Sequence, residues 1–216
     1  MERKKRSRVL LKTLERLFPR ASIALSFSNP WELVVAVILS AQCTDKKVNE
    51  VTAILFKKYK TLNDYVHARR GEFEKIIRPV GFYRTKAKHI LQSARMVSDY
   101  FSGKIPHTTQ ELCRLPGVAR KTANIVLGNA FGIVEGIAVD THVRRFALKF
   151  HLTDSKNPDR IERDLMKLFP KKQWLSATYR IIEYGRRVCP ARVHNCLTHP
   201  LSLVYPPAAR TWPRAH

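Results

Sequence analysis

The chain has 216 residues, enough for one domain or two small lobes, and its 44% apolar and 26% charged content is that of an ordinary globular protein. Forty Lys and Arg against seventeen Asp and Glu leave a formal charge of +23 and a pI near 10.4, which implies a polyanionic partner and salt-sensitive binding but names no reaction. The longest aliphatic run, Leu33 to Leu39, is too short to span a bilayer, and the basic start Glu2-Arg3-Lys4-Lys5-Arg6 continues into Lys12, Glu15 and Arg16 where an export signal needs an apolar core, so a cytoplasmic protein without a membrane anchor is expected.

The pattern is helical throughout. Asn29-Pro30-Trp31-Glu32 reads as a helix start, with Asn as cap, Pro in the first turn and Glu able to reach back. The aliphatic run that follows predicts a deeply buried helix ending near Gln42. A second helix is expected from about Asp45 to Tyr59, with Val48, Val51, Ile54 and Leu55 on one face. Thr61 and Asp64 open a shorter one, and Glu72 to Ile77 forms another. Gly81 breaks the chain before a long helix through Ile90, Leu91, Ala94 and Val97. Thr108 with Glu111 is a capping pair that predicts a helix ending at Leu115; Pro116-Gly117 then turns the chain, and helical spacing resumes from Val118 to Phe131. Further helices are expected over Thr141 to Phe150, Pro158 to Leu168 and Trp174 to Arg187. From Pro200 onward, Pro206, Pro207 and Pro213 interrupt any hydrophobic period, which predicts an extended tail. No strand alternation and no internal repeat is evident. Cys43 and Cys113 stand alone in helical patterns and are expected to be buried thiols.

The segment Leu112-Cys113-Arg114-Leu115-Pro116-Gly117-Val118-Ala119-Arg120-Lys121-Thr122-Ala123 is a helix, a glycine-containing turn and a second helix. Such a turn leaves the first amides of the second helix facing outward at the positive end of its dipole, an anion site suited to a phosphodiester. A contact of that kind reads backbone and not sequence. An ordinary helix connection would look the same on the turn alone.

Leu115 to Ala123 resembles the helix–hairpin–helix of the endonuclease III family of DNA glycosylases. Three further segments carry the resemblance in the family's order: Ser40-Ala41-Gln42-Cys43-Thr44-Asp45, Gly81-Phe82-Tyr83-Arg84-Thr85-Lys86-Ala87 and Ile137-Ala138-Val139-Asp140-Thr141-His142. It covers about residues 8 to 196. Where the family usually has a second hairpin glycine this chain has Ala119, which would be penalised if that backbone required positive φ.

The resemblance implies an all-α, two-lobed helix–hairpin–helix glycosylase fold. Residues 24–134 would form a six-helix barrel, residues 1–23 with 135–199 a second lobe, and 200–216 a proline-rich tail. It implies a bifunctional DNA glycosylase and AP lyase of base excision repair, acting as a monomer at the nucleoid on double-stranded DNA with oxidised pyrimidines or abasic sites. Lys121 stands at the family's nucleophile. Attack on the sugar's anomeric carbon needs a neutral amine, and the helix N-terminus, Arg120 and desolvation against DNA all work towards one. Asp140, which on residues alone is a helix cap, would assist base departure. An extruded base leaves a gap. Gln42 matches the residue that plugs it, and Phe82 the apolar wedge. Leu115, Gly117, Val118, Ala119, Arg120 and Thr122 would grip the backbone, with Ser40, Asp45 and His142 at the pocket. The residue-level alternatives are a polar helix end for Gln42, a core side chain for Phe82 and a phosphate contact for Lys121. For the chain as a whole, the rivals are a monofunctional glycosylase and a non-catalytic DNA-binding protein.

Relatives close the second lobe with cysteines spaced C-x6-C-x2-C-x5-C around a [4Fe–4S] cluster. Here Cys189 and Cys196 keep the first two positions, but His199 and Tyr205 occupy the others. A cluster takes four thiolates, so none is expected. Helix packing, with Tyr205 and Trp212 as cover, is the expected replacement. The lesser alternative is a zinc ion on Cys189, Cys196, His199 and His194, in which His194 lies awkwardly close to Cys196.

Overall fold

The computed structural model describes residues 1–192 and 194–210, so Trp212 and Pro213 of the tail lie outside the described residues. The chain divides into two compact units, residues 24–135 and residues 1–23 with 136–216. Among the described residues there is no strand, and no helix is long and apolar enough to cross a membrane.

Helix α1 (Arg3–Leu17) opens the chain and belongs to the second of these units. The unit of residues 24–135 begins with α2 (Pro30–Ser40). The Asn29 side chain caps it by accepting the Glu32 amide at 2.9 Å, and the Glu32 carboxylate reaches back to the Ser28 amide at 2.6 Å. Every residue from Trp31 to Leu39 is buried, so this helix is the unit's core element. Around it stand α3 (Asp45–Lys58), α4 (Leu62–Val66), α5 (Arg70–Ile77), α6 (Tyr83–Phe101), α7 (Thr109–Leu112) and α8 (Arg120–Ala130). Thr61 and Asp64 form a complete capping box at α4. Trp31, Tyr59, Tyr65 and Phe73 meet at centroid distances of 5.3 to 5.9 Å with tilted or edge-on rings. Helix α2 packs on α3, α6 and α8, and α6 also packs on α4 and α5.

The other unit joins α1 to α9 (Thr141–Lys149), α10 (Pro158–Leu168), α11 (Trp174–Arg187), α12 (Pro200–Val204) and α13 (Pro207–Arg210). Helix α1 packs on α10, α11 and α12, burying Leu10, Leu11 and Leu14. Phe146, Phe150 and Tyr184 form an aromatic core between α9 and α11.

Three expectations are corrected. The stretch from Pro200 is not extended through its described part. Pro200 and Pro207 sit in the first turns of α12 and α13, where a missing amide costs nothing, and Leu201 and Ala208 are buried. The helix expected to reach Leu115 ends at Leu112, because Arg114 and Leu115 donate to carbonyls only three residues back and tighten the chain into the turn. Cys113 is exposed and Cys43 only half-buried, since one caps the end of the short α7 and the other lies in the loop after α2.

Candidate functional site

The hairpin joins α7 to α8. Gly117 has φ +82°, a region that L side chains rarely adopt, and a methyl group placed there would stand 3.0 Å from Nδ1 and 3.1 Å from Cβ of His89. Gly117→Ala should therefore cost about 1–3 kcal/mol of local strain and weaken DNA binding, checked by thermal melting and by titration with duplex. Ala119 has φ −90° and ψ 172°, extended backbone open to any residue, so the glycine usual in the family is not required here. The side chains of Leu115 and Val118 are only 2% and 5% exposed, which limits any contact they make with a ligand to their backbone. Ala119 gives α8 no capping side chain, and Arg120 and Lys121 are exposed in its first turn with Thr122 half-buried beside them. The positive end of this helix and two exposed cationic side chains thus share the first turn of α8.

Helix α6 organises the loops of this unit. Phe82, Lys86, His89 and Ser93 recur at spacings of four, three and four, one face of a helix. Phe82 holds φ +47° at the start of α6 and is 67% exposed, which removes the reading of a core side chain. The Lys86 ammonium is buried and donates to the carbonyls of Leu39 at 2.8 Å and Val80 at 2.9 Å. Burial lowers its pKa from the usual lysine range. Leu39 lies in the last turn of α2, just before Gln42, and Val80 just before Gly81-Phe82. One amine therefore ties the Gln42 loop to the Phe82 loop. His89 packs against Gly117, and the Ser93 hydroxyl donates to the Pro116 carbonyl at 3.0 Å. Gln42 is exposed with φ +53°, so it is a strained loop residue beyond the helix end. Ser40 and Asp45 are half-buried on either side of it.

Lys86 carries no role in the sequence reading, because its partners stand 47 and six residues away and only the fold unites them. Lys86→Met keeps the volume and strands two carbonyls. It should destabilise the chain by about 1–3 kcal/mol, with faster amide hydrogen exchange confined to the Gln42 and Phe82 loops.

Asp140 and His142 belong to the other unit. Asp140 caps α9, its Oδ1 accepting the Val143 amide at 2.8 Å. His142 is held against α11: a methyl group on Gly185 would collide with its Nδ1, which lies 3.2 Å from Nη2 of Arg145. Arg145 in turn donates to the Gly185 and Cys189 carbonyls at 3.3 and 3.1 Å. His142 is thus a helix-packing residue in this unit.

Beyond α11 the chain brings Cys189, His194, Cys196 and His199 together, with one ligand atom from each lying within 4.8 Å of all the others, so the group could hold a metal ion. His194, named as the fourth ligand of the zinc alternative despite its closeness to Cys196, is within the group, its Nε2 3.4 Å from the Cys196 sulfur. Burial pushes the Cys189 thiol up and, with His194 and Lys149 nearby, pushes His199 down. Tyr205 is engaged elsewhere, its hydroxyl 2.8 Å from Nδ1 of His151 and its ring under the Arg6 guanidinium at 4.3 Å.

Residues 35–171 match the family described as HhH-GPD superfamily base excision DNA repair protein. The chain is 47% identical over 194 residues to endonuclease III of Synechocystis sp., covering 90% of this chain and 89% of that one. Among solved structures it is similar to a non-covalent endonuclease III–DNA complex, with a TM-score of 0.91, 40% identity and coverage of 97% and 98%. It is likewise similar to a trapped endonuclease III–DNA covalent intermediate in an estranged-adenine complex, with a TM-score of 0.88, 42% identity and coverage of 93% and 94%.

Proposed function

The chain belongs to the endonuclease III family of HhH-GPD base excision DNA repair proteins, and from that premise we propose how its own residues do the work of a bifunctional DNA glycosylase and AP lyase. The observation that carries the reading is Lys121: an exposed amine in the first turn of α8, directly after the hairpin turn.

The hairpin binds a phosphodiester through the amides around Gly117 and the start of α8, with Arg120 adding charge. The damaged nucleotide is extruded, the Phe82 ring enters the stack, and Gln42 offers donor and acceptor to the orphaned partner base. The positive φ of both residues places strain at the two positions given these roles.

The Lys121 amine then donates its lone pair to C1′ of the sugar. The glycosidic bond breaks, the base leaves with the electrons of that bond and takes up a proton, and the attacking nitrogen loses one. Ring opening gives a Schiff base. Loss of a C2′ proton drives β-elimination, which breaks the C3′–O bond and nicks the strand. Asp140 stabilises the positive charge that develops on the sugar and relays protons. Capping occupies one of its oxygens, and a carboxylate has two.

The substrates are oxidised pyrimidines and abasic sites in double-stranded DNA, met by a monomer in the cytoplasm at the nucleoid. Borohydride trapping tests the reading. Reduction in the presence of abasic-site duplex should give a stable protein–DNA adduct, and nicked product should appear without borohydride. Base release with no adduct would make the chain a monofunctional glycosylase, and binding alone would leave a non-catalytic protein.

A further inference from the structure

The [4Fe–4S] cluster of relatives does not fit this lobe. Such a cluster takes four thiolates, and the unit supplies only Cys189 and Cys196, Cys43 and Cys113 lying in the other one. Tyr205, at the fourth ligand position of the family's spacing, is already engaged with His151 and Arg6. What the chain does assemble is a set of two thiols and two imidazoles.

We propose that Cys189, His194, Cys196 and His199 bind a single Zn2+ ion, a mononuclear Cys2His2 site standing where relatives hold a cluster. The geometry is close to preformed. A tetrahedral zinc with Zn–S near 2.3 Å and Zn–N near 2.05 Å places its ligand atoms about 3.3–3.8 Å apart. The four atoms here lie within 4.8 Å of one another, and His194 Nε2 with Cys196 Sγ is already at 3.4 Å. A small contraction of the set closes the site.

The surroundings point the same way. Nδ1 of His194 lies 2.8 Å from the Arg192 carbonyl, an acceptor, so Nδ1 carries the proton and Nε2 presents a lone pair towards Cys196. That second hydrogen bond is what orients a metal-ligating histidine. The His194 and His199 rings stack at 4.9 Å with 22° between planes, so each imidazole limits the rotation of the other. His199 Nδ1 is buried without a hydrogen-bond partner among the described residues, so this imidazole has a ring nitrogen that a metal ion would satisfy. Both cysteines are buried, and the Lys149 side chain donates to the Cys196 sulfur at 3.1 Å, a contact that also stabilises negative charge once a metal has displaced the thiol proton.

Binding balances as Zn2+ displacing one proton from each thiol, giving a neutral Zn(S)2(N)2 centre suited to a buried position. Zinc has no redox chemistry here. It closes the loop between α11 and α12, and through α12 it secures α1.

The test uses the full chain expressed with zinc and iron both supplied. Elemental analysis should find about one zinc and essentially no iron per chain. Exchange of zinc for Co2+ should give the thiolate-to-cobalt charge transfer and the visible d–d bands of a tetrahedral S2N2 site. Cys196→Ser should lose the metal, and His199→Cys should retain it as a Cys3His site. If Cys196→Ser does not fold, the cobalt spectrum of the unaltered chain decides alone. A metal-free chain with two free thiols in this lobe, a Cys189–Cys196 disulfide seen as a loss of two hydrogens by mass, or about four irons per chain would each overturn the proposal.

Discussion

Asp140→Asn is expected to slow base release by about 100- to 1000-fold while leaving the fold intact. The expected stability follows from the cap. Asp140 accepts the Val143 amide through one side-chain oxygen, and Asn caps a helix as well as Asp does. The two side chains differ in charge, and charge is what a cationic sugar needs. Asp140→Ala removes both functions and should also cost about 1 kcal/mol of stability, lowering Tm by about 2–4 °C. Single-turnover release of an oxidised pyrimidine, read beside thermal melting, separates the two contributions. An Asn variant that works at the original rate would reduce Asp140 to a helix cap.

Lys121→Ala should abolish the covalent adduct and cut strand nicking by about 1000-fold or more, a loss of about 4 kcal/mol of transition-state stabilisation. Little stability should be lost, because the side chain is exposed and ends in solvent. The sharper variant is Lys121→Arg. A guanidinium keeps the positive charge and can still contact phosphate, but it does not shed its proton and has no amine lone pair to give. The arginine variant should therefore bind duplex about as well as the original and form no adduct. If Lys121 were only a phosphate contact, the arginine variant would keep nicking.

Much of the fold is legible in the chain because its helices carry their own signals. Pro158 and Leu168 bound α10, and Trp174 and Arg187 bound α11, where an Asn-Pro start and clear apolar periodicity mark the ends. The tail differs from its pattern because proline, a breaker inside a helix, starts one at the first turn. Helix α1 is hard to see from local pattern, since a run of basic residues conceals the buried face of Leu10, Leu11 and Leu14. Exposure of Cys113 depends on where a four-residue helix stops, which side-chain pattern does not encode.

At the site, motif order singles out Lys121, Gln42 and Phe82, and the fold adds what holds the segments that carry the last two and the hairpin before Lys121. The contacts of Lys86 with Leu39, His89 with Gly117 and Ser93 with Pro116 join segments far apart in the chain. The Cys/His group was half visible. Its spacing is plain, but His194 lies awkwardly close to Cys196 in sequence, and only the fold shows His194 Nε2 beside the sulfur.

The most direct measurement is peptide mapping of the borohydride-reduced adduct. After nuclease and protease digestion, the sugar remnant should be found by mass spectrometry on the side-chain nitrogen of Lys121. A remnant on the N-terminal amine or on another lysine, with Lys121 unmodified, would contradict the account.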